Sequence, residues 1–495
     1  MKMNHPLDTI LNPRSIAFFG ANNAATTMGT TQLQNILYAG YPGKVFPIHP
    51  RLDAVLGLKA YKKLADVPKN ENIDLAILVI SAEHLIPVLE ECGKRGIKHA
   101  VVITAGFREV GNTDLNTKLR NITRKYGIRF LGPNCIGFFN NYLDWVDESQ
   151  KEDNHIAINT TWIPIQPKKG GVSFASQSGT FACHTFFASE RLGMRFSKTI
   201  SVGNEMDIDL VDCLEYLEQD PHTRVIGMYI EEIKRGREFI EVASRIVPKK
   251  PIVAVYVGGT EAGSRAVMSH TGSMGGNDKV FDAMAEQIGI IRAWNMEELL
   301  DYCHVLDVCP IPKGDRVAIF TNAGGPGVNM SDIADRLGLR VPIFSQELQQ
   351  KLKKKIKSET AQVRNIVDLT FDVDLETLYR TIPRTILKSD EVDGMLMYGL
   401  FGWDFFEMVK KMGDNIVVPM EQMKPVLFSL LDSFGRYPRQ LEKPIIGVNL
   451  MGREEGAVKM VQDAGVPVFP MPNRAVKAYW ALWEYRKVLR KYQEK

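Results

Sequence analysis

The sequence predicts an α/β protein of three domains, each a largely parallel sheet with helices on its faces. Three observations carry this expectation. Short β-branched and aromatic runs, many closed by glycine, recur along the chain, and each is followed by a helical pattern. The 495 residues exceed what a single hydrophobic core organises and suit about three domains. Two breaks, a polar stretch over 141–169 and the group Pro310, Pro312 and Gly314, divide the runs into three sets.

The first set, residues 1–140, contains Ser15-Ile-Ala-Phe-Phe-Gly20, Lys44-Val-Phe-Pro-Ile48, Asp74-Leu-Ala-Ile-Leu-Val-Ile80, His99-Ala-Val-Val-Ile-Thr104 and Arg129-Phe-Leu-Gly132. Amphipathic stretches such as Ala82 to Arg95 lie between them, so these strands read as a doubly wound nucleotide-binding domain. Residues 141–169 read as an insertion and linker. The second set, 170–311, opens on Gly171-Val-Ser-Phe-Ala175 and continues through Val225-Ile-Gly-Met-Tyr-Ile-Glu231 and Pro251-Ile-Val-Ala-Val-Tyr-Val257. The third, 312–495, holds Arg316-Val-Ala-Ile-Phe-Thr321, Asp393-Gly-Met-Leu-Met-Tyr398 and Pro444-Ile-Ile-Gly-Val448. An amphipathic helix from about Asn473 closes it. The last two sets look like variants of one plan, each opening with a strand and a small-residue turn into a helix.

Composition narrows the function classes. With 45% hydrophobic and 24% charged residues the chain reads as an ordinary water-soluble protein. A net charge of +3 gives no concentrated basic surface for nucleic acid. The basic run Lys351 to Lys357 is broken by Leu352 and Ile356 and reads as a solvated helix face. The six cysteines show neither paired spacing nor a secretory framework, which fits reduced thiols. Met1 to Asn12 lacks the apolar core of a signal peptide, and no apolar stretch approaches the roughly 20 residues that span a bilayer. A cytoplasmic protein is expected, with no structural metal and with neither nucleic acid nor membrane as partner.

Four constellations could carry chemistry. The first, Gly20-Ala-Asn-Asn-Ala-Ala-Thr-Thr-Met-Gly29, follows the first strand, where a small-residue turn lets backbone N–H groups approach a phosphate. It is not GxGxxG. At the end of the second strand an NAD enzyme would carry Asp or Glu, but here stands His49-Pro50-Arg51. A cation there suits a ribose that carries a phosphate, as in CoA or NADP; a purely structural turn is the alternative. The second is Ser173-Phe-Ala-Ser-Gln-Ser-Gly-Thr180, a strand running into a helix start able to hold a phosphoryl group or simply to cap the helix. It lacks the glycine spacing of a serine-nucleophile elbow. The third is Ser269-His-Thr-Gly-Ser-Met-Gly-Gly276, preceded by Gly258-Gly259-Thr-Glu-Ala-Gly263. His270 lies among small and hydroxylated residues that offer it no apolar packing, as on a mobile loop. A neutral imidazole is a nucleophile near pH 7 and accepts a phosphoryl group. Glu231 and Glu232, at the end of a neighbouring strand, could orient its ring. The fourth, Thr321-Asn-Ala-Gly-Gly-Pro-Gly-Val328, is no Walker A loop and suits anion binding or tight packing.

Together these segments resemble the NDP-forming acyl-CoA synthetases, which include the ADP-forming acetate–CoA ligases and, more distantly, succinyl-CoA synthetase. The resemblance covers nearly the whole chain. Asn12-Pro-Arg-Ser-Ile-Ala17, Gly40-Tyr-Pro-Gly-Lys-Val-Phe-Pro47, Val102-Ile-Thr-Ala-Gly-Phe-Arg-Glu109 and Gly132-Pro-Asn-Cys-Ile-Gly137 are similar to the CoA-binding domain. Ser176-Gln-Ser-Gly179, Val202-Gly-Asn-Glu205, Tyr229-Ile-Glu231 and Ser269-His-Thr-Gly272 are similar to the domain with the phosphohistidine, and Thr321 to Gly327 with Val367-Asp-Leu-Thr370 to the third domain. The resemblance implies a Rossmann-like CoA-binding domain followed by two flavodoxin-like domains of the succinyl-CoA synthetase type. It implies His270 as phosphoryl carrier, Glu231 as the carboxylate that orients it, and Ser176, Ser178, Gly179 and Thr180 around the phosphoryl group. CoA would meet Gly20, Ala21, Asn22, Asn23, Arg51, Ile103, Thr104, Ala105 and Asn134. The substrates implied are CoA, phosphate, an acyl-CoA with its carboxylic acid, and ADP/ATP or GDP/GTP. No ATP-grasp module is found, so the nucleotide and its Mg are assigned to a separate subunit, within a heterotetramer. A non-catalytic CoA-binding homologue and an NADP-dependent oxidoreductase are the competing readings.

Overall fold

A computed structural model of the chain describes residues 5–147, 156–271, 276–358, 360–370, 374–400, 402–413 and 420–494. The chain divides into two compact units, Met1–Phe187 with Arg195–Trp294, and Ala188–Met194 with Asn295–Lys495.

In the first unit, the strands β1 (Ser15–Phe19) and β2 (Lys44–Ile48) lead through a small hairpin, β3 (Ala54–Val55) and β4 (Leu58–Lys59), to β5 (Leu75–Leu78), β6 (His99–Val102) and β7 (Arg129–Leu131). The sheet is parallel, in the order β2-β1-β5-β6-β7. Its strands are apolar runs because both faces are covered, as parallel sheets require. Ala17, Phe19, Ala76, Leu78, Ala100 and Val102 pack on one face against Leu85, Leu89 and Cys92 of the helix Ala82–Lys94.

A second sheet in the same unit adds β8 (Phe138–Asn140), β9 (Ile158–Asn159), β10 (Lys169–Ser176), β11 (Phe196–Ser201), β12 (Val225–Ile230), β13 (Ile252–Tyr256) and β14 (Ile291–Ala293). The order is β14-β13-β12-β10-β11-β8-β9, with β8 and β9 antiparallel at the edge. Thus β9 lies within the segment read as insertion and linker. β11 contains the polar pattern Phe-Ser-Lys-Thr-Ile-Ser yet is wholly buried. Its Lys198 is fully enclosed and pairs with Asp220 at 2.9 Å, the arrangement that lets a charge leave water.

The second unit carries β15 (Val317–Thr321), β16 (Gln362–Val363), β17 (Val367–Asp368), β18 (Gly394–Tyr398), β19 (Ile445–Val448) and β20 (Val468–Phe469), ordered β16-β17-β15-β18-β19-β20. The helix Met296–Val308, which the sequence groups with the middle domain, packs here. Its Asp301 and Glu298 hold Arg474 and Lys477 of the closing helix Pro472–Gln493, each at 2.7 Å. The parallel strands of all three sheets share one order, second-first-third-fourth-fifth. In such sheets ligands bind beyond the carboxyl ends of the strands, where the winding direction reverses. No described helix is long and apolar enough to cross a membrane.

Candidate functional site

The reversal point of the second sheet lies between β10 and β12, and the segments leaving both strands enter a cleft of about 430 Å³. Its other wall comes from the carboxyl edge of the first sheet: Val79 and Ile80 after β5, Ile103, Thr104 and Ala105 after β6, and Asn134 to Ile136 after β7. Four CoA candidates therefore share one cavity with Ser178, Gly179, Thr180 and Glu231.

On the second-sheet side, Ser178 caps the short helix Gly179–His184, its Oγ accepting from the Phe181 N–H at 3.3 Å. The first N–H groups of a helix have no intrahelical acceptor. Ser178 takes one of them, which leaves the amides of Gly179 and Thr180, both cleft residues, for an anion. Glycine is required at 179: a Cβ there would stand 2.6 Å from Ile136 Cγ1. Ser176 ends β10, behind the turn. It is fully buried, and its hydroxyl donates to the Ser178 carbonyl at 2.7 Å, so it shapes the turn and does not line the cleft.

Glu231 is 6% exposed and lines the cleft. Burial and then the Glu231 charge push the neighbouring Tyr229 phenol up to about 12. Glu232 is differently placed: its carboxylate meets Arg108 at 3.4 Å. Cys135 also lines the cleft, but burial pushes its thiol up to about 12, too high for a thiolate nucleophile near neutral pH.

On the first-sheet side, Thr104 donates its hydroxyl to the Ile80 carbonyl at 2.9 Å and accepts the Asn134 N–H on its own carbonyl at 2.9 Å. The loop ends of β5, β6 and β7 are thereby tied together. Gly20 takes φ +98°, and a Cβ there would collide with the Val79 carbonyl oxygen, so the turn after β1 passes tightly over β5. Ala21 is buried. Asn22 braces this turn, accepting from the Ala24 N–H at 2.6 Å, and Asn23 holds the β3–β4 hairpin through Ala54 and Leu56. Gly20 to Asn23 and Arg51 do not line the cleft. The Arg51 side chain is exposed and, among the described residues, carries no ion pair.

His270 is carried differently from the loop expected. Thr260 accepts the Gly263 N–H at 3.0 Å and opens the helix Glu261–Thr271, supported by the Glu261–Arg265 pair at 2.8 Å. Glu, Ala and Arg are good helix formers, and they outweigh Gly263. The His270 side chain and residues 272–275 lie outside the described residues. Beyond them, the Gly276 N–H donates to Tyr256 Oη at 2.8 Å, and Tyr256 pairs across the sheet with Ile230, the residue before Glu231. The far end of the histidine segment is thus anchored one strand away from the cleft carboxylate.

The chain aligns with the alpha subunit of the ADP-forming acetate–CoA ligase II of Pyrococcus furiosus at 35% identity over 485 residues, 97% of this chain and 98% of that one. It belongs to the ADP-forming acetate–CoA ligase family. The acetate–CoA ligase (ADP-forming) of Methanocaldococcus jannaschii is 35% identical over 99% of this chain, which spans 65% of that longer protein. Among solved structures, the dinucleotide-forming acetyl-coenzyme A synthetase 1 of Ca. Korarchaeum cryptofilum, in complex with phosphate and ADP, superposes with a TM-score of 0.80 at 32% identity, covering 98% of each chain. Residues 14–141 match the CoA-binding domain family and residues 169–306 the succinyl-CoA ligase like flavodoxin domain. In this ligase fold the cleft lies where those two domains meet.

Gln177, Asn204, Glu205 and Glu109, to which the sequence assigns no role, organise the polar walls of the ligase cleft. Gln177 accepts the N–H groups of Glu231 and Glu232 on Oε1, and Nε2 donates to Glu205 at 2.8 Å and to the Glu232 carbonyl at 2.7 Å. Asn204 donates to Glu109 Oε2 at 2.6 Å and accepts from Asn134 at 3.3 Å. Against the upward push of burial, donors from Phe107, Gly106 and Asn204 hold Glu109 below the usual carboxylate range. Burial pushes Glu205 up to about 7, with Lys234 the first opposing influence. At Gln177 the available signal was a polar residue directly after an apolar strand, which one sequence alone does not separate from an ordinary loop.

Proposed function

We propose that this chain is the CoA-binding, phosphohistidine-carrying subunit of an NDP-forming acyl-CoA synthetase. It interconverts acyl-CoA, phosphate and ADP or GDP with the carboxylic acid, CoA and ATP or GTP. One observation carries the reading: a single cleft joins Ile103 to Ala105 and Asn134 of the CoA-binding domain to Ser178, Gly179, Thr180 and Glu231 of the ligase domain. CoA would run along the first-sheet edge, with the Gly20 to Asn23 turn and Arg51 at its nucleotide end and the thioester in the cleft. A phosphate held by the Gly179 and Thr180 amides attacks the acyl carbon. The C–S bond breaks, and CoA leaves as its thiol after taking a proton. An imidazole nitrogen of His270 then attacks phosphorus, the bond from phosphorus to the acyl oxygen breaks, and the carboxylate departs. Glu231 hydrogen-bonds the other ring nitrogen and stabilises the charge that develops there. The phosphohistidine gives its phosphoryl group to the nucleoside diphosphate.

The diphosphate site is assigned to an ATP-grasp partner, in a heterotetramer of two copies of each chain. Relatives named as alpha subunits, alongside a longer relative of which this chain spans 65%, support a divided enzyme. The pure chain should bind CoA yet show no ADP- or GDP-dependent turnover, and adding an ATP-grasp subunit should restore turnover. Nucleotide-dependent acyl-CoA synthesis by the verified single chain would refute the two-subunit reading.

The CoA assignment has its own test. Arg51→Ala should weaken CoA about tenfold more than dephospho-CoA, because only CoA carries the ribose 3′-phosphate that a guanidinium pairs with. Equal weakening of both ligands, measured by calorimetry, would give Arg51 a structural role.

A further inference from the structure

The two walls of the cleft are joined by the turn that follows β11. Its backbone is bonded to the first-sheet side: the Asn204 N–H donates to the Pro133 carbonyl at 2.9 Å and the Met206 N–H to the Gly132 carbonyl at 3.1 Å. Its two polar side chains then reach different neighbours. Asn204 holds Asn134 and Glu109, whereas Glu205, in the left-handed region at φ +49°, serves Gln177 and accepts the Leu210 N–H at 2.9 Å. Lys234, three residues beyond Glu231, donates to the Asn204 and Glu205 carbonyls at 2.8 Å each. The loops after β10, β11 and β12 are stitched into one body.

We propose that Glu205 is a positioning residue which, through Gln177, sets the backbone at Glu231 and hence the direction in which that carboxylate enters the cleft. An amide side chain has two ends of nearly equal shape, and only its partners decide which way it faces. At Gln177 the oxygen must face two backbone donors, Glu231 N–H and Glu232 N–H. Ionised Glu205, the form that the Lys234 ammonium 3.5 Å away favours, is acceptor-only, so together with the Glu232 carbonyl it holds the NH₂ end of Gln177 and keeps the oxygen toward those donors. Glu205→Gln keeps the shape but leaves one acceptor for two donors, Gln177 Nε2 and the Leu210 N–H. One of them then loses its bond in a site where Glu205 is 6% exposed and Gln177 8%, and the hold on Gln177 is reduced toward its backbone partners at Glu231 and Glu232 alone.

The proposal rests on the reading of Glu231 as the carboxylate that serves the phosphorylated histidine. The test uses the full chain with its nucleotide-binding partner and compares Glu205→Gln, Gln177→Ala, the double variant and Glu231→Gln. Single-turnover phosphoryl transfer to His270, kcat, KM for CoA and thermal unfolding are measured. Glu205→Gln should lower phosphoryl transfer about tenfold while KM for CoA stays within about twofold. The double variant should be no slower than the slower single one, because both changes break the same chain of bonds. Should Glu205→Gln not fold, Glu205→Asp, still charged but one methylene shorter, must show the same split with a smaller loss. If Glu231→Gln is impaired and Glu205→Gln transfers at the wild-type rate, the positioning role is overturned and the Glu231 reading stands. Losses that multiply in the double variant overturn the route through Gln177. If Glu231→Gln itself is fully active, the Glu231 reading and the positioning role fall together.

Discussion

His270→Ala should abolish both turnover and phosphoenzyme, with CoA affinity held within about twofold. In the proposed relay His270 is the one nucleophile that receives the phosphoryl group and later surrenders it, so its loss is not graded. Among the described cleft residues, Cys135 and Ser178 are not suited to take its place. Cys135 is held as the thiol by burial, and the Ser178 hydroxyl is engaged as a helix cap. With acyl-CoA and labelled phosphate, the wild-type complex should acquire a label that is acid-labile and alkali-stable, as a phosphoramidate is, and it should map to His270. The CoA contacts lie on a different domain and should survive. Persistent turnover in the alanine variant would end the phosphohistidine reading.

Glu231→Gln should slow the reaction about 10²-fold or more, which corresponds to roughly 2.7 kcal/mol of transition-state stabilisation. The substitution preserves shape and burial while removing the charge that an imidazole needs as it becomes a phosphoramidate. Glu231 lines the cleft, whereas Glu232 is occupied by Arg108, so Glu232→Gln should cost less than tenfold. A larger effect at Glu232, in steady-state kinetics of the two variants side by side, would move the assignment by one residue and leave the relay intact.

Much of the fold was legible because parallel strands buried on both faces must be apolar on both faces. Val225–Ile230, Ile252–Tyr256, Val317–Thr321 and Gly394–Tyr398 announce themselves in this way. Phe196–Ser201 does not. Its lysine and its hydroxyl residues read as surface, and only the pairing of Lys198 with Asp220, more than twenty positions away, makes its burial possible. Phe138–Asn140, at the end of the first set, and Ile158–Asn159, within the polar stretch, are short and antiparallel, and they were missed for the same reason: their partners are remote in sequence.

The site divides along the same line. Residue type and position after a strand were enough to nominate Ser178, Gly179, Thr180 and the pair Glu231 and Glu232, because backbone amides and side chains at strand ends project from the carboxyl edge whatever the rest of the chain does; Ile103 to Ala105 and Asn134 came from the family resemblance. Sequence also set Arg51 apart from an NAD fingerprint, leaving CoA and NADP open until the family resemblance chose CoA. It placed Ser176 with the phosphoryl group, and the structure adds that its hydroxyl donates to the Ser178 carbonyl. Tertiary structure decided that the two sheets present their carboxyl edges to one cleft, that Glu231 lines it while Glu232 meets Arg108, and that Gln177, Asn204 and Glu205 join its walls. The physical reason is range. Strand propensity and turn chemistry act over a few residues, whereas a carboxylate's role is set by the donors and burial that distant segments bring to it.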